Sequence, residues 1–180
     1  MAYCIDEGEV FIMVDARDIA KYFLKKDVFK ELFVSKNIER SGVVFNEGSA
    51  RINKYLHISQ NMWIAKTGGL LFSQPLLAFN NGAVVDDVRM NFNACVKKAP
   101  HFDDDFPVEI RNFLNSIYVI LKNATIDELI HLSHQDDEWI AKNKNGRRTK
   151  KEQEMDSLSR KDQYKEQYAD ALIIMERMVV

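Results

Sequence analysis

Cysteine, proline and glycine are all scarce in this 180-residue chain, with 2, 3 and 7 copies. Cys4 and Cys95 form neither a CxxC pair nor a spaced framework, so disulfide stapling and a structural zinc site are not expected. No low-complexity tract and no internal repeat is visible. No apolar run approaches the roughly 20 residues that span a bilayer, so no membrane association is expected. The N-terminus carries Asp6, Glu7 and Glu9 where a signal peptide would be positive, so no targeting segment is read and a cytoplasmic location is expected. Net charge is small as well, at −2, and nothing global marks a polyanion binder. Nucleic acid, if bound, would need a local patch.

What is present is the composition of an ordinary soluble globular protein, 46% hydrophobic and 29% charged. The expected fold is mainly α: one compact helical domain over 15–180 with small irregular or β additions, preceded by an N-terminal arm at 1–14. In that arm Val10 to Val14 suit either a short strand or a packed segment. Asp15 reads as an N-cap, and Ile19, Tyr22 and Phe23 give helical spacing to about Lys26. Phe29, Leu32 and Phe33 continue the period until Ser41-Gly42 breaks it. Val43-Val44-Phe45 is too short to classify.

Ile52, Tyr55, Leu56, Ser59, Trp63 and Ile64 predict an amphipathic central helix ended by Gly68-Gly69. Leu70 to Phe79, interrupted by Pro75, suits an irregular packed segment or an edge strand. Val84, Val85, Val88, Phe92 and Val96 suggest another helix closing before Pro100. Asp103-Asp104-Asp105 and Pro107 predict a helix start, with Ile110, Phe113, Leu114, Ile117 and Leu121 as its apolar stripe. Thr125-Ile126-Asp127-Glu128 is a capping box for a short helix carrying Leu129, Ile130 and Leu132. Lys142, Lys144, Arg147, Arg148, Lys150 and Lys151 form a basic cluster around Gly146, expected to be an exposed loop. Tyr164, Tyr168, Leu172, Met175 and Met178 then predict a terminal helix packed on the domain.

Chemistry-bearing residues are sparse. His131 and His134 would be neighbours on one helix face near Asp136 and Asp137, but a metal site needs at least a third defined ligand, so no metal or other cofactor is assigned. Cys95 lies in an apolar pattern and is expected to be inert. Gly68-Gly69 lacks the downstream glycine and Lys-Ser/Thr of a phosphate cradle. No Ser-His-Asp, Cys-His or paired-carboxylate arrangement carries a local signature, so no catalytic residue is assigned and no enzyme is expected. Arg51, Lys54 and Lys66 flank Tyr55 and Trp63, but at helical spacing the aromatics suit a core and the cations a solvated face. The stronger candidate for an electrostatic contact is the basic cluster, through Arg147, Arg148, Lys150 and Lys151.

One order of residues is specific enough to suggest a family. Arg51-Ile52-Asn53-Lys54-Tyr55-Leu56-His57-Ile58-Ser59-Gln60 leads through Trp63 and Gly68-Gly69 to Leu71-Phe72, then Pro75-Leu76, Ala78-Phe79 and Gly82-Ala83-Val84-Val85. A second segment reads Leu132-Ser133-His134 followed by Trp139. This order resembles the Panacea domain, also described as SocA-like or phage-associated, over Asp15 to about Lys142, with Ala83 where that family's turn carries proline. The resemblance marks Lys54, Gln60, Trp63, Gly69, Phe72, Gly82 and Val84 as signature positions. It also marks Ser133, His134 and Trp139, which could orient a loop or form a partner pocket, or pair a satisfied histidine with a packed tryptophan.

The resemblance implies a prokaryotic or prophage interaction protein that neutralises a toxin by direct binding. Two other readings stay open. A mobile-element inhibitor of a host nuclease, with an anti-CRISPR role, would use Asp103-Asp104-Asp105, Asp136-Asp137-Glu138 and the N-terminal acids to occupy a basic channel. A nucleic-acid-binding regulator would use the basic cluster.

Overall fold

The computed structural model describes residues 2–6, 9–40, 42–143 and 149–178. Among these the chain is mainly helical, with three antiparallel two-stranded hairpins. The first hairpin pairs β1 (Ala2–Asp6) with β2 (Glu9–Met13), which resolves the N-terminal arm as strands. The chain then enters the domain at Val14, whose amide donates to Leu71 O at 2.9 Å.

Helix α1 (Ala16–Lys26) starts where the sequence predicts, with the Asp15 carboxylate accepting from Arg17 N, and buries Ile19, Tyr22 and Phe23. The helical period expected through Phe29, Leu32 and Phe33 does not form a helix. Asp27 captures the amides of Glu31, Leu32 and Phe33 at 2.9–3.1 Å, a local alternative to helix hydrogen bonding. Phe29 is left 84% exposed, while Phe33 turns inward onto Tyr55. Next, β3 (Asn37–Arg40) pairs with β4 (Val43–Asn46), which places Val43-Val44-Phe45 in a strand.

Helix α2 (Glu47–Thr67) is the axis of the fold and stops at Gly68, whose φ of 82° is the left-handed cap a glycine tolerates. The expected amphipathicity is overturned, because every residue from Arg51 through Ala65 is buried. Helices, hairpin strands and the C-terminal segment cover it on all sides. Arg51 and Lys54 therefore lie inside the molecule, and of the three cations only Lys66 keeps its solvated position. Tyr55 packs edge-on against Phe23 and Phe33, and Trp63 against Phe113 at 5.0 Å, so Trp63 is a core residue as predicted.

After α2 the chain forms β5 (Leu76–Phe79) and β6 (Gly82–Val85). Val84 and Val85, expected to begin a helix, are strand residues instead. The Asn80-Asn81 reversal followed by Gly82 at φ 93° closes a tight hairpin that competes with helix formation. The helix predicted beyond it is split at Asn91 into α3 (Asp86–Met90) and α4 (Phe92–Lys98), with a 3₁₀ turn at Ala99–His101.

Helix α5 (Val108–Leu121) buries the predicted stripe of Ile110, Phe113, Leu114, Ile117 and Leu121. Its cap position is Pro107 with no side-chain cap, so the Asp103–Asp105 run does not cap it. Asp104 instead lies 3.9 Å from Lys25 and 4.0 Å from Arg111. The capping box of α6 (Ile126–His134) forms as predicted between Thr125 and Glu128. Leu129 and Ile130 are buried in it, but Leu132 faces solvent.

Then come α7 (Asp137–Lys142), capped by Asp136, and α8 (Lys150–Gln153). Lys150 and Lys151 are thus helical rather than in a loop, while Arg147 and Arg148 lie outside the described residues. Met155 N donates to Leu76 O, so this segment shields the free edge of β5. The predicted terminal helix is broken at Tyr168 into α9 (Lys161–Gln167) and α10 (Ala169–Met178), which bury Tyr164 and Met175 but leave Met178 exposed.

Candidate functional site

A fully buried helix that carries Arg51, Asn53, Lys54, His57, Gln60 and Asn61 must give its polar groups partners. It does so by clasping the segments around it. Arg51 Nη1 donates to Ala124 O, and Asn53 spans Ser49 O and Val85 N. Gln60 holds the turn after the helix, accepting from the amides of Leu71 and Phe72 and donating to Phe72 O. Gly69, also in that turn, is buried, and Phe72 is a core residue.

Lys54, His57 and Asn61 share one stripe of α2, at helical spacings of three and four. Lys54 Nζ donates to Ala83 O at 2.8 Å. His57 lies between Ser133 Oγ, 3.0 Å from its Nδ1, and Asp136 Oδ2, 2.7 Å from its Nε2. Asp136 Oδ2 also accepts from Asn61 Nδ2 at 2.7 Å and Tyr164 OH at 3.0 Å, while Oδ1 accepts from the amides of Glu138 and Trp139. Ser133 Oγ accepts from Ala83 N at 3.0 Å. One polar network thus joins α2, α6, α7 and α9 to the β5–β6 hairpin.

Its electrostatics follow from burial. Desolvation alone would push the Asp136 carboxyl up, but the hydrogen bond and charge of His57, with the bonds from Asn61 and Tyr164, outweigh it and hold the group at about 2. Lys54 has no such compensation, and burial pushes its ammonium down to about 7. Burial, then the charges of Lys54 and Arg40, push the His134 imidazole below its usual value. Burial also raises the thiol of Cys95, in keeping with an unreactive core cysteine.

The residues singled out in the second sequence segment meet the same hairpin. His134 stacks on Trp139 at 4.0 Å and 11°, and Trp139 Nε1 donates to Phe79 O at 2.9 Å. Ser133 and Trp139 are buried, and what they hold is hairpin backbone. Gly82 sits directly over the network: a Cβ there would fall 2.5 Å from Ser133 Oγ and 2.8 Å from Lys54 Nζ. Gly82→Ala is therefore expected to cost at least about 2 kcal/mol from positive φ and steric overlap together, read as a lowered midpoint in urea. A loss below about 0.5 kcal/mol would mean that the hairpin does not rest on the clasp.

Beyond Gly82 and Val84 lies a cleft of about 550 Å³ between the β3–β4 and β5–β6 hairpins, with Lys54 at its inner end and Arg89 and Met90 of α3 in its wall. Lys150 reaches this edge through an ion pair with Asp86.

His131 and His134 do not converge on further ligands. His131 pairs with Gln135, and among the described residues no group of three or more His, Cys, Asp or Glu side chains is placed to hold a metal. Among the same residues no helix is long and apolar enough to cross a membrane.

No local pattern in the sequence records the Ser133–His57–Asp136 alignment, because His57 lies 76 and 79 residues from its two partners. The legible signals were a histidine and an asparagine four apart in an uninterrupted helix, and an aspartate at a helix start. The alignment differs from a serine-hydrolase triad. Serine meets Nδ1 and the carboxylate Nε2, the reverse of the hydrolase order, and the three residues are 0%, 1% and 1% exposed. Compared with protein-family models, curated proteins and solved structures, the chain matches none.

Proposed function

We propose that this chain is a non-enzymatic, Panacea-like interaction protein, an antitoxin or phage accessory protein that acts in the cytoplasm by binding a partner protein directly. The observation that carries this reading is the use made of the buried polar set. Its hydroxyl, imidazole and carboxylate are enclosed and tied to the β5–β6 hairpin, as suits a rigid support for a surface. The resemblance agrees with it: Lys54, Gly82 and Val84 from its first segment and Ser133, His134 and Trp139 from its second meet around this one hairpin. On the open side is a concave surface rimmed by Val44 and Met90, which are 63% and 68% exposed. Apolar anchors around a preformed cleft suit stoichiometric recognition.

The nuclease-inhibitor reading draws less support, because Asp136 and Glu138 of one acidic cluster are buried. The regulator reading through the basic cluster is weakened at Lys150, which is paired with Asp86.

The test is capture from the native host followed by titration. Inhibition of the captured toxin should saturate near a fixed molar ratio, unchanged by a chelator. Turnover at substoichiometric amounts of this protein would overturn the reading. Binding only to DNA or RNA would transfer it to the regulator.

A further inference from the structure

The cleft is where the fold leaves charge uncompensated. Lys54 lies at its inner end, 1% exposed. Its ammonium has three N–H donors, and among the described residues only Ala83 O accepts from one of them. Among the described residues the cleft is lined by two cations, Lys54 and Arg89, and by no carboxylate. Asp86, next to β6, is shared between Arg89 at 2.6 Å and Lys150 at 2.5 Å, so that trio is itself net positive. A buried cation without a counterion is costly, and an arriving anion would relieve that cost.

The walls select the kind of anion. Val44, Phe79 and Met90 offer apolar surface, and Asn80, Asn81 and Asn93 offer carboxamides that donate to and accept from a peptide backbone. A volume of about 550 Å³ suits an organic ligand or a chain segment and far exceeds a single inorganic anion.

We propose that this cleft docks an acidic peptide segment of a protein partner, with an aspartate or glutamate carboxylate reaching the Lys54 ammonium. The inference rests on the direct-binding reading and names its site. Lys54 attracts the carboxylate when it carries its charge, and burial leaves that ammonium titrating near 7. Among the described residues, His134 on α6 feels the Lys54 charge, His57 on α2 meets the same Ser133 hydroxyl that lies under Gly82, and Arg89 on α3 lines the same cleft. A peptide carboxylate stays charged through this range, so affinity should fall about tenfold between pH 6 and pH 8 as the competent fraction shrinks.

The probe is a pool of blocked heptapeptides with central glutamate among Leu, Val, Phe and Asn, compared with the same pool carrying glutamine. Inorganic phosphate and adenosine monophosphate form a third arm. Binding is followed by NMR at the Lys54 side chain and the Gly82 amide. The glutamate pool should shift both signals and bind at least tenfold tighter than the glutamine pool. Lys54→Met should abolish that preference while remaining folded, and Lys54→Arg should keep it but lose the pH step. Equal affinity of the two pools, no binding by either, binding retained in Lys54→Met, or signals moved by phosphate compounds alone would each overturn the proposal. A pH step that survives in Lys54→Arg would also do so, by assigning it to a group other than Lys54. If Lys54→Met still neutralises a captured partner, the cleft inference fails and direct binding stands. If the glutamate pool binds but no partner is neutralised, the reverse holds.

Discussion

Asp136→Ala should cost about 4–6 kcal/mol, enough to leave much of the protein unfolded at 25 °C if its stability is near the low end of the usual 5–15. The substitution removes the acceptor shared by His57, Asn61 and Tyr164 and deletes the cap of α7. Breaking a buried charged network costs about 3–5 kcal/mol and losing a cap about 1. Urea unfolding at pH 7 measures the sum, with Asp136→Asn as a milder comparison because the amide keeps an acceptor for the cap. A loss below about 1 kcal/mol for Asp136→Ala would show that the network does not hold the helices together.

The same carboxylate sets an acid limit. Its folded pKa, about 2, lies below the ordinary aspartate value of 3.8, so its contribution is complete above pH 4 and is lost as pH falls through 2. That window is worth about 2 kcal/mol.

Lys54→Met should raise stability at pH 6 by about 2–4 kcal/mol. In the parent, the folded-state pKa of about 7 lies below the ordinary lysine value of 10.5. Below pH 7 both folded and unfolded states hold the proton, and folding carries the full cost of burying the charge. Between pH 7 and 10.5 the unfolded state binds the extra proton, so parental stability should rise with pH by at most about 1.4 kcal/mol per pH unit. Across the window this amounts to on the order of 5 kcal/mol, offset in the variant by about 1–3 for the unpaired Ala83 carbonyl. Denaturation of both proteins at pH 6 and pH 9 separates the effects: the variant's advantage should shrink or reverse at pH 9. An advantage independent of pH would mean that the gain comes from packing and that Lys54 is not a buried, uncompensated cation. A stability gain with lost peptide binding would identify Lys54 as a functional residue that costs the fold stability.

What the sequence determined by itself is local. The Asp15 cap, the Thr125–Glu128 box, the stripe from Ile110 to Leu121 and the Gly68 stop were legible because each depends on residues within a turn or two of one another. Tertiary structure decided the rest. Three apolar and aromatic residues from Phe29 to Phe33 had helical spacing, yet one carboxylate at Asp27 took the amides that a helix would have used. Val84 and Val85 had a helical period too, but pairing with Leu76 and Leu77 made them a strand, and strand partners leave no periodic trace in so short a segment. Most consequential is the central helix. Its polar residues imply a wet face when α2 is considered alone, and only the arrival of α6, α7, α9 and the β5–β6 hairpin makes that face an interior. Burial of a lysine, histidine or asparagine becomes tolerable when distant segments bring the matching donors and acceptors. Those contacts connect residues up to 79 positions apart, so no local pattern records them.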